Sequence, residues 1–177
     1  MAAHRTAADP LEHPHLTTVG LLVETHAGFT SAAERGLGAT GGLSLQWFEL
    51  LLRLARTPGH RLRMSALAAQ TTLSASGLTR AVDRLEAEGL VRREACPTDR
   101  RSSYAALTGE GEARLRRVLP HHLEHLVEVF DRTFDAEELA TLCGLLRRLR
   151  DAVNPQAACA SSDAAVEVGA GTAASAS

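Results

Sequence analysis

The 177 residues are 45% hydrophobic and 23% charged, with a formal net charge of −2, which suits one domain with a core but is too short for two full domains. Aromatic residues make up only 3% of the chain, so a core of Leu, Val and Ala favours helices over a β sandwich. The cysteine spacing fits neither a disulfide framework nor zinc knuckles. No signal-peptide pattern occurs, and no apolar run approaches the ~18 residues that span a bilayer. We therefore expect a soluble cytoplasmic protein with no cofactor and no membrane partner.

The first part of the chain is predicted to form two helices after a loose start. Residues 1–15 contain Pro10 and Pro14 among small and polar residues, and we interpret them as a flexible arm. Apolar residues then recur at helical spacing over 17–35, before a glycine-rich break. Ser44 is suited to cap a second, largely apolar helix that ends before Pro58.

A helix-turn-helix motif is predicted next. Ser65 is expected to cap a very short helix, and Ser74 a longer amphipathic helix that Gly89 ends. Residues 90–94 and 103–107 can pair as two antiparallel strands around the turn between them. Because a two-stranded hairpin is not stable alone, it must pack on the preceding helices.

Two further helices complete the predicted fold. Thr108 is expected to cap a long helix whose first turn carries Glu110 and Glu112, where the helix dipole favours acidic residues. A last helix over about 136–153 has a continuous leucine stripe, which a second subunit is expected to cover. Residues 154–177 are rich in Ala, Ser and Gly and are predicted to be disordered.

The charge of the chain is concentrated in its middle. Residues 53–101 contain 10 Arg and 5 acidic residues, a net +5, whereas the flanking segments are net −3 and −4. This asymmetry predicts that the middle segment contacts a polyanion. In a helix-turn-helix, the second helix lies in the DNA major groove. The residues expected to contact DNA from that helix are Ser74, Ser76, Thr79, Arg80 and Arg84. Arg80 is suited to a guanine edge and Arg84 to phosphate.

The turn between the two predicted strands contains Asp99, Arg100 and Arg101. An arginine at the tip of a hairpin can enter the narrow, negative minor groove of A·T-rich DNA. We interpret Arg101 as this probe and Asp99 as the carboxylate that orients it, while Arg100 faces phosphate.

Residues 72–111 resemble the winged helix-turn-helix core of the MarR family of bacterial regulators. The most specific part is Asp-Arg-Arg followed by Leu-Thr-x-x-Gly, here 99–101 and then Leu107, Thr108 and Gly111. The resemblance covers about 16–153. It implies a mainly α fold with a small β-hairpin wing, a winged helix-turn-helix core at about 44–108, and dimerisation helices at about 17–35 and 109–153.

The resemblance also implies a mechanism. A homodimer would bind a pseudo-palindromic operator with half-sites roughly 10 bp apart, more often as a repressor than as an activator. A phenolic or organic-anion inducer would bind between the dimerisation helices and the DNA-binding lobe and release the DNA. His26 and Trp47 are the candidate ligand contacts. A buried histidine and a core tryptophan are the alternative interpretations of these two residues.

Other functions remain open at this stage. The winged helix could instead dock a protein partner, in which case DNA binding would be weak and independent of sequence. His121 and His125 share one helical face and are permissible metal ligands. Cys96 in the wing is a candidate redox sensor. No catalytic motif is found, so we expect no enzymatic activity and assign no catalytic residues.

Overall fold

The computed structural model describes residues 9–40, 43–95 and 102–158. They form a mainly helical fold with a small antiparallel sheet, which confirms the predicted fold class. The helices are α1 (Pro14–Thr40), α2 (Leu45–Ala55), α3 (Met64–Ala69), α4 (Ala75–Ala87), α5 (Gly109–Thr133), α6 (Ala136–Val153) and α7 (Pro155–Ala158), and the strands are β1 (Arg61–Arg63), β2 (Val91–Ala95) and β3 (Ser103–Leu107).

Polar caps begin three of these helices, as predicted. Ser44, Ser74 and Thr108 each accept a hydrogen bond from the backbone amide three residues later, at 3.3, 3.1 and 3.0 Å. The prediction for Ser65 is wrong, because α3 begins at Met64 and Ser65 lies inside the helix. Strand β1 leads directly into α3, and extended Arg63 occupies the capping position, where its side chain does not cap the helix and instead donates a hydrogen bond from Nε to the Tyr104 hydroxyl at 3.2 Å.

The sheet has three strands rather than the predicted two, in the order β1, β3, β2, all antiparallel. Leu62 of β1 pairs with Ala105 of β3, and Arg93 of β2 pairs with the same residue from the other side. Leu62 is buried between two exposed arginines. A strand of three residues is too short to show a period-2 pattern in the sequence, so its partner β3 is what defines it.

The ends of the described chain are more ordered than predicted. Helix α1 continues to Thr40 rather than ending near residue 35, because Ala33 and Leu37 pack into the protein interior and offset the low helix propensity of the glycines between and after them. Residues 154–158 were predicted to be disordered. Instead, Asn154 donates a hydrogen bond from Nδ2 to the carbonyl of Ala69 at 3.1 Å, and α7 follows it.

The hydrophobic core joins the helix-turn-helix and the sheet to the first half of α5. Its fully buried centre includes Phe48 and Leu51 of α2, Leu67 of α3, Leu85 of α4 and Val118 of α5. The core therefore lies directly behind α4 and fixes which face of that helix is exposed. Among the residues described, no helix is both long and apolar enough to cross a membrane.

Candidate DNA-binding surface and ligand cavity

Helix α4 has one buried face and one polar face. Leu78, Ala81, Val82 and Leu85 are buried, whereas Ser74, Ser76, Thr79, Arg80 and Arg84 are all exposed. Because residues three and four apart share a helical face, burial of the first set turns the second set outward. All five helix residues predicted to contact DNA therefore lie on one accessible surface.

The start of α4 is arranged by local hydrogen bonds. The hydroxyl groups of Ser74 and Ser76 lie 3.2 Å apart, and the Thr79 hydroxyl donates to the carbonyl of Ala75 at 2.9 Å. Ser76, Thr79 and Arg80 line a shallow depression together with Ala75. These hydroxyls retain lone pairs that can accept hydrogen bonds from the amino groups on base edges.

Strand β2 is attached to α4 through Arg93, which the sequence analysis did not identify. Its guanidinium Nη2 lies 2.5 Å from Asp83 Oδ1, and its Nε lies 3.7 Å from Glu86 Oε2. The backbone amide of Arg93 also donates to Glu86 Oε1 at 2.8 Å. The sequence signal was two carboxylates three residues apart on a helix, followed by an arginine in the next strand.

The exposed face of the sheet has its own ion-pair network. Glu94 accepts hydrogen bonds from Arg92 at 2.6 Å and from Arg61 at 3.2 Å, and these bonds lower the pKa of the Glu94 carboxyl. The guanidinium groups of Arg61 and Arg63 also lie over the Tyr104 ring, at 5.2 and 5.7 Å from its centroid. Part of the basic middle segment thus stabilises the sheet. By contrast, no ion pair in the described ranges includes Arg80 or Arg84.

The Leu-Thr-x-x-Gly pattern has a structural explanation. The Thr108 hydroxyl donates to the carbonyl of Gly89 at 2.7 Å, and its backbone amide donates to the carbonyl of Leu90 at 3.1 Å. Gly111 is buried, and a Cβ atom at that position would overlap the Leu90 carbonyl. Thr108 and Gly111 therefore hold the start of α5 against the end of α4.

The predicted tip of the wing, with Cys96, Asp99, Arg100 and Arg101, lies outside the described residues. The two strands that lead to it are paired as far as Ala95 and Ser103. The roles assigned to the tip residues stay predictions.

A cavity of about 560 Å³ lies behind the DNA-binding lobe, between α2 and the helices α1, α5 and α6. Phe29 stacks on Phe130 with ring centroids 5.5 Å apart, and Phe48 meets the His122 ring edge to face at 4.7 Å. His26 lines this cavity, as one of the two candidate ligand residues. Trp47, the other candidate, is not among the lining residues, and it is half-buried against the hydrophobic core.

The polar lining of the cavity is mainly cationic. It contains Arg53, Arg56, Arg147 and Arg150, and Glu49 is the one acidic residue among the described lining residues. Burial lowers the pKa of Arg53, with the charge of Arg56 acting in the same direction and that of Glu49 opposing it. Burial also lowers the pKa of His122, as do the neighbouring His125 and His121 to a smaller extent. The cavity thus favours an anionic occupant over a cationic one.

Two buried donors at this cavity have no hydrogen-bond partner, namely Arg53 Nε and Gln70 Nε2. An unsatisfied buried donor costs about 1–3 kcal/mol. Both residues line the same cavity, although these two atoms are themselves enclosed by the protein. Sequence reasoning had no signal for Gln70, since its burial depends on how α3 packs.

His121 and His125, the alternative metal ligands, have different surroundings in the structure. His121 Nδ1 lies 3.7 Å from Glu124 Oε2, whereas His125 lines the cavity. In the described part of the chain, no group of three or more His, Cys, Asp or Glu side chains is placed to hold a metal ion.

The exposed face of α4, its attachment to β2 and the three-stranded sheet define a winged helix-turn-helix regulator that binds DNA. Residues 41–102 match the sequence profile of the MarR family. A protein of Thauera aromatica described as a candidate regulator of the hcr operon is 34% identical over 115 residues, which span 65% of this chain and 68% of that protein. The transcriptional repressor YetL of Bacillus subtilis is 33% identical over 97 residues, which span 55% of this chain and 58% of YetL.

Comparison with solved structures agrees with the sequence relationships. Sco3205, a MarR family transcriptional regulator from Streptomyces coelicolor in complex with DNA, has a TM-score of 0.70 at 32% identity, covering 79% of this chain and 88% of that chain. The chain belongs to the MarR family of transcriptional regulators. These relatives are regulators of transcription and not enzymes, in agreement with the prediction from the sequence.

Proposed function

We propose that the chain acts as a homodimeric repressor that binds a pseudo-palindromic operator and releases it when a small organic anion or phenol occupies the cavity. The observation that carries the DNA-binding part is the outward face of α4. There Arg80 and Arg84 are exposed and, within the described ranges, form no ion pair. Such arginines are available for a polyanion without breaking an internal contact.

The DNA contacts are assigned as follows. Helix α4 enters the major groove with Arg80 directed to a guanine edge and Arg84 to phosphate, while the hydroxyls of Ser74, Ser76 and Thr79 contact the backbone or bases. At the wing tip, Arg101 enters the minor groove, Asp99 orients it and Arg100 contacts phosphate.

The homodimer is supported by apolar side chains exposed on three helices that flank the DNA-binding lobe. A Leu or Val side chain in water loses the hydrophobic stabilisation that burial would provide, about 1.5–3 kcal/mol for full burial. A second copy presenting the same helices would bury them in a two-fold interface. The residues are Leu16, Val19, Leu21, Leu22 and Val23 on α1, Leu123 and Val127 on α5, and Leu145, Leu146, Leu149 and Val153 on α6.

The ligand response is supported by the cavity. Its volume falls within the range of about 300–1,000 Å³ typical of small-molecule sites, its walls include three phenylalanine rings, and its polar lining is cationic. The cavity is lined by α2 of the DNA-binding lobe and by the flanking helices α1, α5 and α6. An occupant that contacts both groups of helices can therefore change the position of the lobe relative to the flanking helices. The relative YetL is named a repressor, and this supports repression, rather than activation, by the present chain.

The experiment that tests this function is selection of binding sites from a random double-stranded DNA library, followed by sequencing. We expect an inverted repeat with half-site centres about 10 bp apart. A protein carrying Arg80→Ala and Arg84→Ala is the matched control and should enrich no sequence. Failure of the unmodified protein to enrich any sequence would contradict the proposal and favour the protein-docking alternative, which predicts salt-labile, sequence-independent binding.

A further inference from the structure

We propose that Asn154 is a positioning residue that fixes the DNA-binding lobe relative to α6 and thereby limits the spacing of operator half-sites that the protein accepts. The inference rests on the dimeric, operator-binding function proposed above. It concerns a contact outside the DNA-facing surface of α4, and Asn154 does not line the cavity. The side chain of Asn154 joins the end of α6 to Ala69 of α3, 85 residues earlier in the chain.

The contact is formed by the ends of two helices. Ala69 is the last residue of α3, where backbone carbonyls have no amide partner within the helix, and its carbonyl accepts a hydrogen bond from Asn154 Nδ2 at 3.1 Å. The backbone amide of Asn154 donates to the carbonyl of Arg150 at 2.6 Å, which holds Asn154 at the end of α6. Pro155 then starts α7, which packs on α3. The chain therefore follows a defined path from α6 along the end of α3.

This contact is a second attachment of the lobe to the flanking helices. The first lies at the start of α5, where Thr108 bonds the carbonyl of Gly89. The cavity is lined both by Gln70, the neighbour of Ala69, and by Arg150, one turn before Asn154. Helices that border a cavity restrain one another less than helices in close-packed contact. A hydrogen bond from α6 to α3 beside the cavity therefore opposes rotation of the lobe about the start of α5.

Rotation of the lobe would move the helix that is proposed to enter the major groove. Leu67 of α3 and Leu78 of α4 are buried in one core, so the two helices move together. In a dimer formed by the flanking helices, the angle of each lobe to α6 sets the distance between the two α4 helices. One added base pair shifts a half-site by about 3.4 Å and turns it by about 35°. An operator of altered spacing thus requires the lobe to rotate and the Asn154 hydrogen bond to break.

The energetic consequence has a definite sign. The hydrogen bond is present in the free protein and on an operator of the best spacing, so its removal leaves the affinity for that operator unchanged. On an operator of altered spacing the bond is broken, so its removal lowers the cost of binding. A hydrogen bond within a protein changes an equilibrium constant by about two- to tenfold net. Loss of the bond should therefore strengthen binding to operators of altered spacing by this factor for each lobe that rotates.

The test uses Asn154→Ala, which removes the amide, and Asn154→Asp, which keeps the side-chain size but removes the donor. Asn154 is exposed, so neither change disturbs the core. Asp135→Ala is the control, because it removes the cap at the opposite end of the same helix. The Kd of each protein is measured by fluorescence anisotropy for the operator obtained by site selection, and for duplexes whose half-sites are one base pair closer or farther apart. Melting temperatures are measured in parallel.

Asn154→Ala should bind the best operator within about twofold of the unmodified protein and the altered operators about two- to tenfold more tightly. Asn154→Asp adds a negative charge that weakens DNA binding at every spacing, so the ratio of its two Kd values is compared and should fall by the same factor. Asp135→Ala should melt at a lower temperature without any gain on the altered operators. Tighter binding does not result from destabilisation, and this separates positioning from a purely structural role.

The outcomes distinguish this inference from the function on which it rests. An inverted repeat selected by the unmodified protein, with the same spacing preference in both Asn154 variants, would overturn the role of Asn154 and leave the proposed function standing. An equal gain on altered operators in Asp135→Ala would also overturn it, because general loosening of α6 would then be the cause. Equal binding of the unmodified protein at all three spacings would show that the lobes are not fixed. Selection of no inverted repeat would overturn the proposed function and this inference with it.

Discussion

The guanidinium of Arg93 on β2 lies 2.5 Å from the carboxylate of Asp83 on α4, and this ion pair links the sheet to the helix proposed to contact DNA. Arg93 is one-third exposed and Asp83 about half, so the pair alone contributes only about 0.2–1 kcal/mol to stability. Its main effect is geometric, because it fixes the direction in which β2 leaves the end of α4.

Arg93→Met should weaken operator binding by about 1 kcal/mol or more while changing the free energy of unfolding by less than about 1 kcal/mol. The reason is that the wing loses its fixed orientation relative to α4. Gel shifts and thermal melts measure the two quantities. Arg116→Met is the control, because Arg116 forms a comparable pair with Glu112 on α5 at 2.7 Å, away from α4. Equal losses of operator affinity in the two variants would contradict the orienting role.

Arg80→Ala and Arg84→Ala should have different phenotypes. Loss of a base contact by Arg80 should cost about 1–3 kcal/mol and relax the preference at one operator position. Loss of a phosphate contact by Arg84 should weaken all sequences alike and reduce the slope of log K against log salt by about 1. Titrations of a specific and a scrambled duplex at several salt concentrations separate these effects. Identical behaviour of the two variants would refute the assignment.

Gly111→Ala should destabilise the protein by about 1–3 kcal/mol or more, because the added methyl group overlaps the Leu90 carbonyl. Gly109→Ala is the control. It lies two residues earlier, and an added Cβ there would meet nothing within 4 Å. Urea denaturation measures both variants. A Gly111→Ala protein as stable as the control would mean that the backbone at this corner can shift freely.

Leu146→Arg should convert the proposed dimer into a monomer. The arginine would place a charge within an apolar face whose members lie on α1, α5 and α6. Sedimentation velocity at micromolar concentration reports the mass. Ala87→Arg, at the exposed end of α4, is the control and should sediment as the unmodified protein does. A Leu146→Arg dimer would place the interface elsewhere.

The stability of the protein should fall as the pH is lowered through the titration of His122. Burial lowers the pKa of this imidazole below its ordinary 6.5, so the unfolded state takes up the proton more readily than the folded state. The associated stability is complete above about pH 6.5 and is lost as the pH falls toward the lower, folded-state pKa. Melting temperatures of His122→Gln should depend less on pH than those of His121→Gln, the exposed neighbour. Parallel pH profiles for the two variants would contradict the assignment of this pH dependence to His122.

Local interactions made much of this protein predictable from its sequence. The caps at Ser44, Ser74 and Thr108 depend on residues within one turn, and the polar and apolar faces of α4 follow from helical periodicity. The span of α6 was predicted from its leucine stripe, and the structure adds a reciprocal capping box between Asp135 and Glu138 at its start. The family resemblance added the expectation of a cavity and of His26 beside it.

Only the tertiary structure decided the features that depend on packing between segments distant along the chain. Strand β1 exists because Leu62 pairs with Ala105, and α1 continues through its glycines because Leu37 is buried in the core. Arg93 meets Asp83 only when β2 folds back along α4, and Gln70 becomes a buried, unpaired donor only when α3 packs behind the cavity. The sequence by itself determined the local elements and the exposed polar face of α4, because both depend on near neighbours. The wing attachment and the cavity lining required the fold, because their partners are far apart along the chain.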